Sequence, residues 1–220
     1  NANLANGGTP NWGTNWGAGD VMYANLDGKE GVNNGSNTLE DHGDLTIIGN
    51  NTPRYNFGLT LTGAWKGFDF SVFLQGVMKR DYWLDGPYFW GANGGLWQST
   101  AFKEHMDYWR PEGDPLGANT NAYYPKPYFN TDKNQKVQSG YLQNAAYCRL
   151  KNAQIGYTLP KTWTRKAAME SVRVYVSGDN LVTFSGISGV FDPELLGSDW
   201  GDGKLYPLQR TISIGLNVNF

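Results

Sequence analysis

The sequence predicts an all-β fold: five antiparallel strands of a transmembrane β-barrel, joined by alternating short and long connections. Three observations lead there. Residues 209–220 read Q-R-T-I-S-I-G-L-N-V-N-F, with Ile212, Ile214, Leu216, Val218 and Phe220 apolar and Thr211, Ser213, Gly215, Asn217 and Asn219 small or polar. A strict period of two marks a strand with one apolar and one polar face, and an aromatic at its end suits the girdle of a barrel. Four more segments alternate in the same way, and the connections between them run short, long, short, long, as periplasmic turns and extracellular loops do in outer-membrane barrels. The polar faces are built mostly of small uncharged residues, whereas a solvated sheet face usually carries Lys and Glu.

Composition narrows the function classes. A net charge of −2 over 220 residues excludes a basic nucleic-acid-binding surface. No apolar run approaches the roughly 18 residues of a transmembrane helix, a test that barrel strands escape because their alternation averages out. Nine Trp, thirteen Tyr, ten Phe and 29 Gly, with only 17% charged residues, fit hydrated loops between β-strands. Cys148 is the only cysteine, so no internal disulfide can form. The opening N-A-N-L-A-N-G-G-T-P-N-W-G has neither a basic n-region nor an apolar h-region. It reads as the middle of a loop.

Taken in order, residues 1–54 are rich in Asn and Gly and form a loop region leading into the barrel, with short apolar stretches at Val21–Tyr23 and Leu45–Ile48. The first strand covers 55–65: Tyr55, Phe57, Leu59, Leu61, Gly63 and Trp65 face one side, Asn56, Gly58, Thr60, Thr62 and Ala64 the other. Lys66-Gly67 is a two-residue hairpin. The second strand covers 68–78, with Phe68, Phe70, Val72, Leu74 and Met78 opposite Asp69, Ser71 and Gln75, although Phe73 and Val77 interrupt its polar side. Residues 79–146 form a long loop with many aromatics and a short helix near Ala101–Trp109, ended by Pro111. The third strand covers 147–159, with Ala153, Ile155, Tyr157 and Leu159 against Asn152, Gln154, Gly156 and Thr158, and Pro160 closes it. The fourth, 171–181, sets Val172, Val174 and Val176 against Arg173, Tyr175 and Ser177. Residues 182–207 form a second long loop, and the fifth strand covers 208–220.

Strands of about 9–11 residues suffice to cross a bilayer. The alternation of connections places the C-terminus in the periplasm and residues 1–54, 79–146 and 182–207 outside the cell. Five strands cannot close a barrel, and an open edge in lipid leaves backbone groups unsatisfied. The chain therefore reads as the C-terminal part of a larger barrel whose remaining strands lie elsewhere.

Several strings resemble one family in the family's own order. Gly19-Asp20-Val21, Ile48-Gly49-Asn50 and Pro53-Arg54-Tyr55-Asn56-Phe57-Gly58-Leu59 are similar to SusC/RagA-type TonB-dependent outer-membrane transporters. So are the hairpin Lys66-Gly67-Phe68-Asp69-Phe70-Ser71, the run Tyr147–Asn152 followed by Ile155–Pro160, Arg173–Leu181, Asp192-Pro193-Glu194, Tyr206-Pro207 and Gly215–Phe220. The resemblance covers most of the chain from Gly19 onward. It implies a barrel of about 22 strands with an N-terminal plug, energised through TonB and importing oligosaccharides or peptides beneath a SusD-like surface lipoprotein. It also implies that the terminal aromatic, Phe220, is the signal read by the outer-membrane assembly machinery. The family's D-x-N-G-D-G loop is altered here to Asn25-Leu26-Asp27-Gly28-Lys29-Glu30. A lysine where a carboxylate should coordinate disfavours Ca²⁺, and even with Asp41 and Asp44 nearby the stretch reads as a solvated acidic loop with no metal or other cofactor.

Within the 79–146 loop, Trp83, Trp90 and Trp97 offer flat faces to cargo or to a lid protein. The competing reading, that such rings pack a long ordered loop on itself, is preferred. His42 and His105 lack a partner at ligand or catalytic spacing. Cys148 reads as structural. Asp192 and Glu194 flank a proline and are too close in sequence to face one another across a substrate. No catalytic motif is present, and the chain reads as non-enzymatic. The main rival to a transporter is a soluble, aromatic-rich β-sandwich that binds carbohydrate, since a sandwich sheet also has one apolar face.

Overall fold

The computed structural model describes residues 16–29, 31–91, 101–129, 133–197 and 202–220. Two compact units emerge from the chain: one drawn from Asn1–Gly49, Trp83–Leu142 and Gly197–Asp202, the other from Asn50–Tyr82, Gln143–Leu196 and Gly203–Phe220.

The second unit is an antiparallel sheet. Its strands are β1 (Arg54–Trp65), β2 (Phe68–Lys79), β3 (Asp81–Tyr82), β4 (Gln143–Thr158), β5 (Ser171–Gly186) and β6 (Thr211–Asn219). The order is β1-β2-β4-β5-β6, with the two-residue β3 pairing beside β4, and the sheet is open. Trp65 pairs with Phe68 around the Lys66-Gly67 turn, where both residues have positive φ (47° and 88°). That is the type I′ geometry whose twist matches the flanking strands.

Register turns separate alternations into continuous faces. Gly63, Phe70, Ile155, Val176 and Ile214 form one row across the strands, and Leu61, Val72, Ala153, Gly178 and Ile212 form another. The rows between them are polar: Thr62, Ser71, Gln154, Ser177 and Ser213 in one, and Thr60, Phe73, Asn152, Asp179 and Thr211 in the next. The apolar face is bare. Ile212 is 69% exposed and Ile214 80%, and Leu61, Phe70 and Ile155 are also exposed.

β4 departs from simple alternation. Counted by parity, Arg149 and Lys151 would share the apolar face with Ala153 and Ile155. Opposite Phe73 and Leu74 of β2, however, β4 places Asn152 and Leu150, so Lys151 is an extra residue. The bulge re-phases the strand. It keeps Leu150 in the apolar row with Leu74 and Val182, and sends Arg149 to the polar row between Gln75 and Thr183.

Strand ends also differ from the sequence reading: β4 starts at Gln143 and β5 runs on to Gly186. The 159–170 connection holds a short helix α2 (Lys161–Thr164) and a 3₁₀ turn. In the first unit, the helix expected near Ala101–Trp109 is only a 3₁₀ turn, Lys103–Met106, and α1 is a single turn, Pro87–Trp90.

Candidate functional site

The polar face of the sheet carries two charged clusters. Arg173 on β5 donates from Nε to Asp69 Oδ1 on β2 at 2.8 Å, and its Nη2 bonds the other carboxylate oxygen. The two strands are not neighbours. The bond passes over Gly156 of β4, where an added Cβ would sit 2.4 Å from Arg173 Nη2.

In the second cluster, Arg149 is only 3% exposed. It donates Nε to Thr183 Oγ1 (2.7 Å) and Nη2 to Asp192 Oδ1 (2.7 Å), and its Nη1 lies 3.1 Å from Glu194 Oε1. The last approach is an ion pair without hydrogen-bond alignment. Lys151 Nζ holds the other Glu194 oxygen at 2.9 Å. Asp192 also accepts from the Glu194 and Leu208 backbone N–H groups. Thus the segment after β5 is clamped to β4 by two cations and two carboxylates. A glycosidase pair needs one carboxyl to stay protonated in an apolar site. Here each carboxylate is instead held by a cation from β4.

The first unit is built around aromatic rings. Trp90, 6% exposed, is the hub: its ring centroid lies 5.8 Å from Trp83, 5.1 Å from Phe89, 4.9 Å from Tyr141 and 6.4 Å from Tyr124. Burial raises the Tyr124 and Tyr141 hydroxyl pKa values, that of Tyr141 to about 12. His105 joins this core, accepting the Phe102 N–H at Nδ1 (2.9 Å) and facing the Phe89 carbonyl at Nε2 (3.1 Å). With both ring nitrogens engaged by backbone groups, the ring is a packing element. Trp83 is half-buried, and Trp97 lies outside the described residues.

Beside this core is a cavity of about 330 Å³ walled by Trp90, Met106, Tyr124, Tyr128 and Phe129, with Lys126 at its edge. Residues 16–23 meet Lys126, Lys133 and Asn134 next to it. Asp20 receives Lys133 Nζ (2.8 Å), Asn134 Nδ2 (3.0 Å) and the Gly17 N–H (2.8 Å). Burial pushes the Asp20 pKa up, but those hydrogen bonds and the Lys133 charge outweigh it and hold the carboxyl below its usual range.

The acidic loop is closed by its own atoms. Asp44 accepts backbone N–H groups of Leu26, Asp27 and Asn33. Lys29 Nζ lies 3.5 Å from Asp27 Oδ2 and 3.4 Å from Asp41 Oδ1, so an ammonium sits where two carboxylates converge. Among the described residues no three His, Cys, Asp or Glu side chains gather as a metal site.

Cys148 lies in the apolar row opposite Gly76 and Phe184. Phe220, 89% exposed, follows β6 at the sheet end that also carries Trp65, Phe68 and Tyr157. The clustered partners Tyr124, Tyr141, Arg149 and Lys151 were not singled out by sequence. For Arg149 a signal existed: a charge at an apolar-face parity implies a bulge.

No family model matches the chain. It is 30% identical over 215 residues to TonB-dependent receptor P3 of Formosa agariphila, covering 92% of this chain and 19% of that protein. It is 26% identical over 193 residues to TonB-dependent receptor SusC of Bacteroides thetaiotaomicron, covering 85% of this chain and 17% of that one. Among solved structures it is similar to the RagAB peptide transporter, with a TM-score of 0.57 and 28% identity over 79% of this chain and 18% of the other. The RagAB peptide importer in its 'closed-closed' state gives a TM-score of 0.59 at 26% identity. The chain spans about a fifth of the length of the relatives it matches.

Proposed function

From the premise that this chain is a segment of a SusC/RagA-type TonB-dependent outer-membrane transporter, we propose that it forms part of the wall and outer loops of a nutrient importer. Its strands cross the outer membrane with the apolar rows against lipid and the polar rows against the lumen. Residues 1–54, 79–146 and 182–207 lie outside the cell, and the C-terminal end of β6 lies in the periplasm. The plug, the TonB contact and the remaining strands belong to the rest of the protein.

The observation that carries this reading is the bare apolar face. A sandwich would cover it with a second sheet, but no described residue packs a second sheet on it, and its rows run unbroken from β1 to β6. Exposed apolar area this continuous marks an interaction surface, and hydrocarbon satisfies it while the paired strands satisfy the backbone.

The cargo is an oligosaccharide or a peptide, delivered with a SusD-like surface lipoprotein as lid. The similarity to the RagAB peptide transporter supports the peptide class, and the oligosaccharide class rests on the resemblance of the sequence motifs to the family. Trp83, Trp90 and Trp97 stand in the region facing cargo or lid, with Trp90 acting through the packing of its loop. Phe220 serves assembly.

Fractionation and uptake test the reading together. The native protein is expected in the outer-membrane fraction, and its deletion is expected to abolish TonB-dependent uptake of one glycan or peptide class. Recovery of the protein in the aqueous phase without detergent would overturn it.

A further inference from the structure

We infer that the cavity beside Trp90 is a binding site for an apolar group carrying a carboxylate, namely the C-terminal residue of a peptide. This rests on the importer reading above and assigns one cargo end to one place.

The wall chemistry selects an apolar occupant. Two of its polar side chains are already engaged from behind. His105 spends both ring nitrogens on Phe102 and Phe89. Asn134 accepts from Val21 N–H (3.0 Å) and donates to Asp20 and to the Lys126 carbonyl. The rest of the wall is mainly ring, proline and thioether surface, with Trp90, Tyr124, Tyr128, Phe129 and Met106 contributing. A sugar, with a hydroxyl on most carbons, would leave most of those groups unpaired against so apolar a wall, at a cost per group of about 1–3 kcal/mol. A Leu or Phe side chain would not. The volume of about 330 Å³ is at the small end of ligand pockets.

Charge selects the carboxylate. Lys133 and Lys126 both lie over the Tyr128 ring, 4.3 Å and 5.6 Å from its centroid. Lys133 is neutralised by Asp20. Lys126 has no carboxylate within ion-pair distance among the described residues, so one positive charge is left over at the cavity edge. Its backbone is fixed on both sides: its N–H donates to the Gly19 carbonyl (2.8 Å) and its own carbonyl accepts from Asn134 (3.2 Å). An exposed ammonium on an anchored backbone beside an apolar cavity suits a ligand that ends in COO⁻ next to an apolar side chain.

The test titrates the full-length transporter in detergent with four probes: Gly-Gly-Leu, its C-terminal amide, Gly-Gly-Gly and octanoate, with Trp fluorescence and calorimetry as readouts. Gly-Gly-Leu is expected to bind at least tenfold tighter than the amide, Gly-Gly-Gly and octanoate. In Lys126→Gln the acid and amide should bind alike. In Met106→Trp, which fills the cavity from an exposed position, both should weaken while Gly-Gly-Gly is unaffected. Equal binding of acid and amide by the native protein, acid-over-amide preference surviving in Lys126→Gln, or octanoate binding as tightly as the peptide would each overturn the assignment. If none of the probes binds while the protein still imports a glycan, the site assignment falls and the importer reading stands.

Discussion

Arg173 on β5 reaches across the bare backbone of Gly156 on β4 to hold Asp69 on β2, so that one ion pair ties three consecutive strands together on the polar face. A side chain on β4 would stand in its path. Gly156→Ala is therefore expected to displace Arg173 and to behave like Asp69→Asn. Because both charged groups remain open to solvent, each change should lower stability only slightly. Thermal unfolding of the full-length transporter in detergent checks this, and non-additivity in the double variant identifies the shared contact.

Arg149 is a different case, being buried with its carboxylates. Arg149→Met leaves Asp192 without its cation and Glu194 with Lys151 alone. Removing one partner of a buried pair costs about 3–5 kcal/mol. The expected result is a loosened segment after β5, seen as new proteolytic cleavage within 187–207 on intact cells, with the strands still protected.

Trp90 holds its loop through four rings, whereas Trp83 touches the cluster at its margin. Trp90→Ala should destabilise the aromatic unit by about 3–5 kcal/mol, and Trp83→Ala by less. Protease sensitivity of residues 83–142 on whole cells separates the two.

The Asp20 carboxyl titrates below its unfolded value of 3.8 because Lys133, Asn134 and Gly17 outweigh its burial. A depressed acid stabilises the fold above the unfolded pKa and loses that contribution as pH falls through the folded one. The 16–23 segment should therefore loosen from Lys133 and Asn134 only below about pH 4. Asp20→Asn should show the loosened state at neutral pH, as read by hydrogen exchange at Val21, whose N–H is held by Asn134.

Deleting Phe220 is expected to lower the amount of assembled protein without changing the affinity of the protein that does assemble. Surface quantification with ligand titration separates these effects; wild-type surface levels would contradict the assignment.

Much of the sheet is legible because its faces obey a simple rule. The apolar residues of 212–220 and the Lys66-Gly67 turn are local signals, and register merely aligns them. The bulge at Lys151 is not local: it follows from Arg149 needing Asp192 and Glu194, more than forty residues away. The 103–106 turn falls short of a helix because Trp109 and Tyr124 exchange backbone bonds with neighbouring loop segments. The cavity was illegible for the same reason. Its walls come from separate stretches of the loop, and only Trp90 and His105 among them stood out by type.

The two faces of the sheet can be told apart directly in the native outer membrane. With Cys148 changed to Ser, nitroxide labels would be placed singly at Ile155, Val176 and Ile214 in one row and at Gln154, Ser177 and Ser213 in the next. Collision with dissolved oxygen reports lipid, and collision with an aqueous nickel chelate reports water. The first row is expected to favour oxygen at all three sites and the second to favour nickel. Equal nickel access along both rows would contradict a lipid-facing wall.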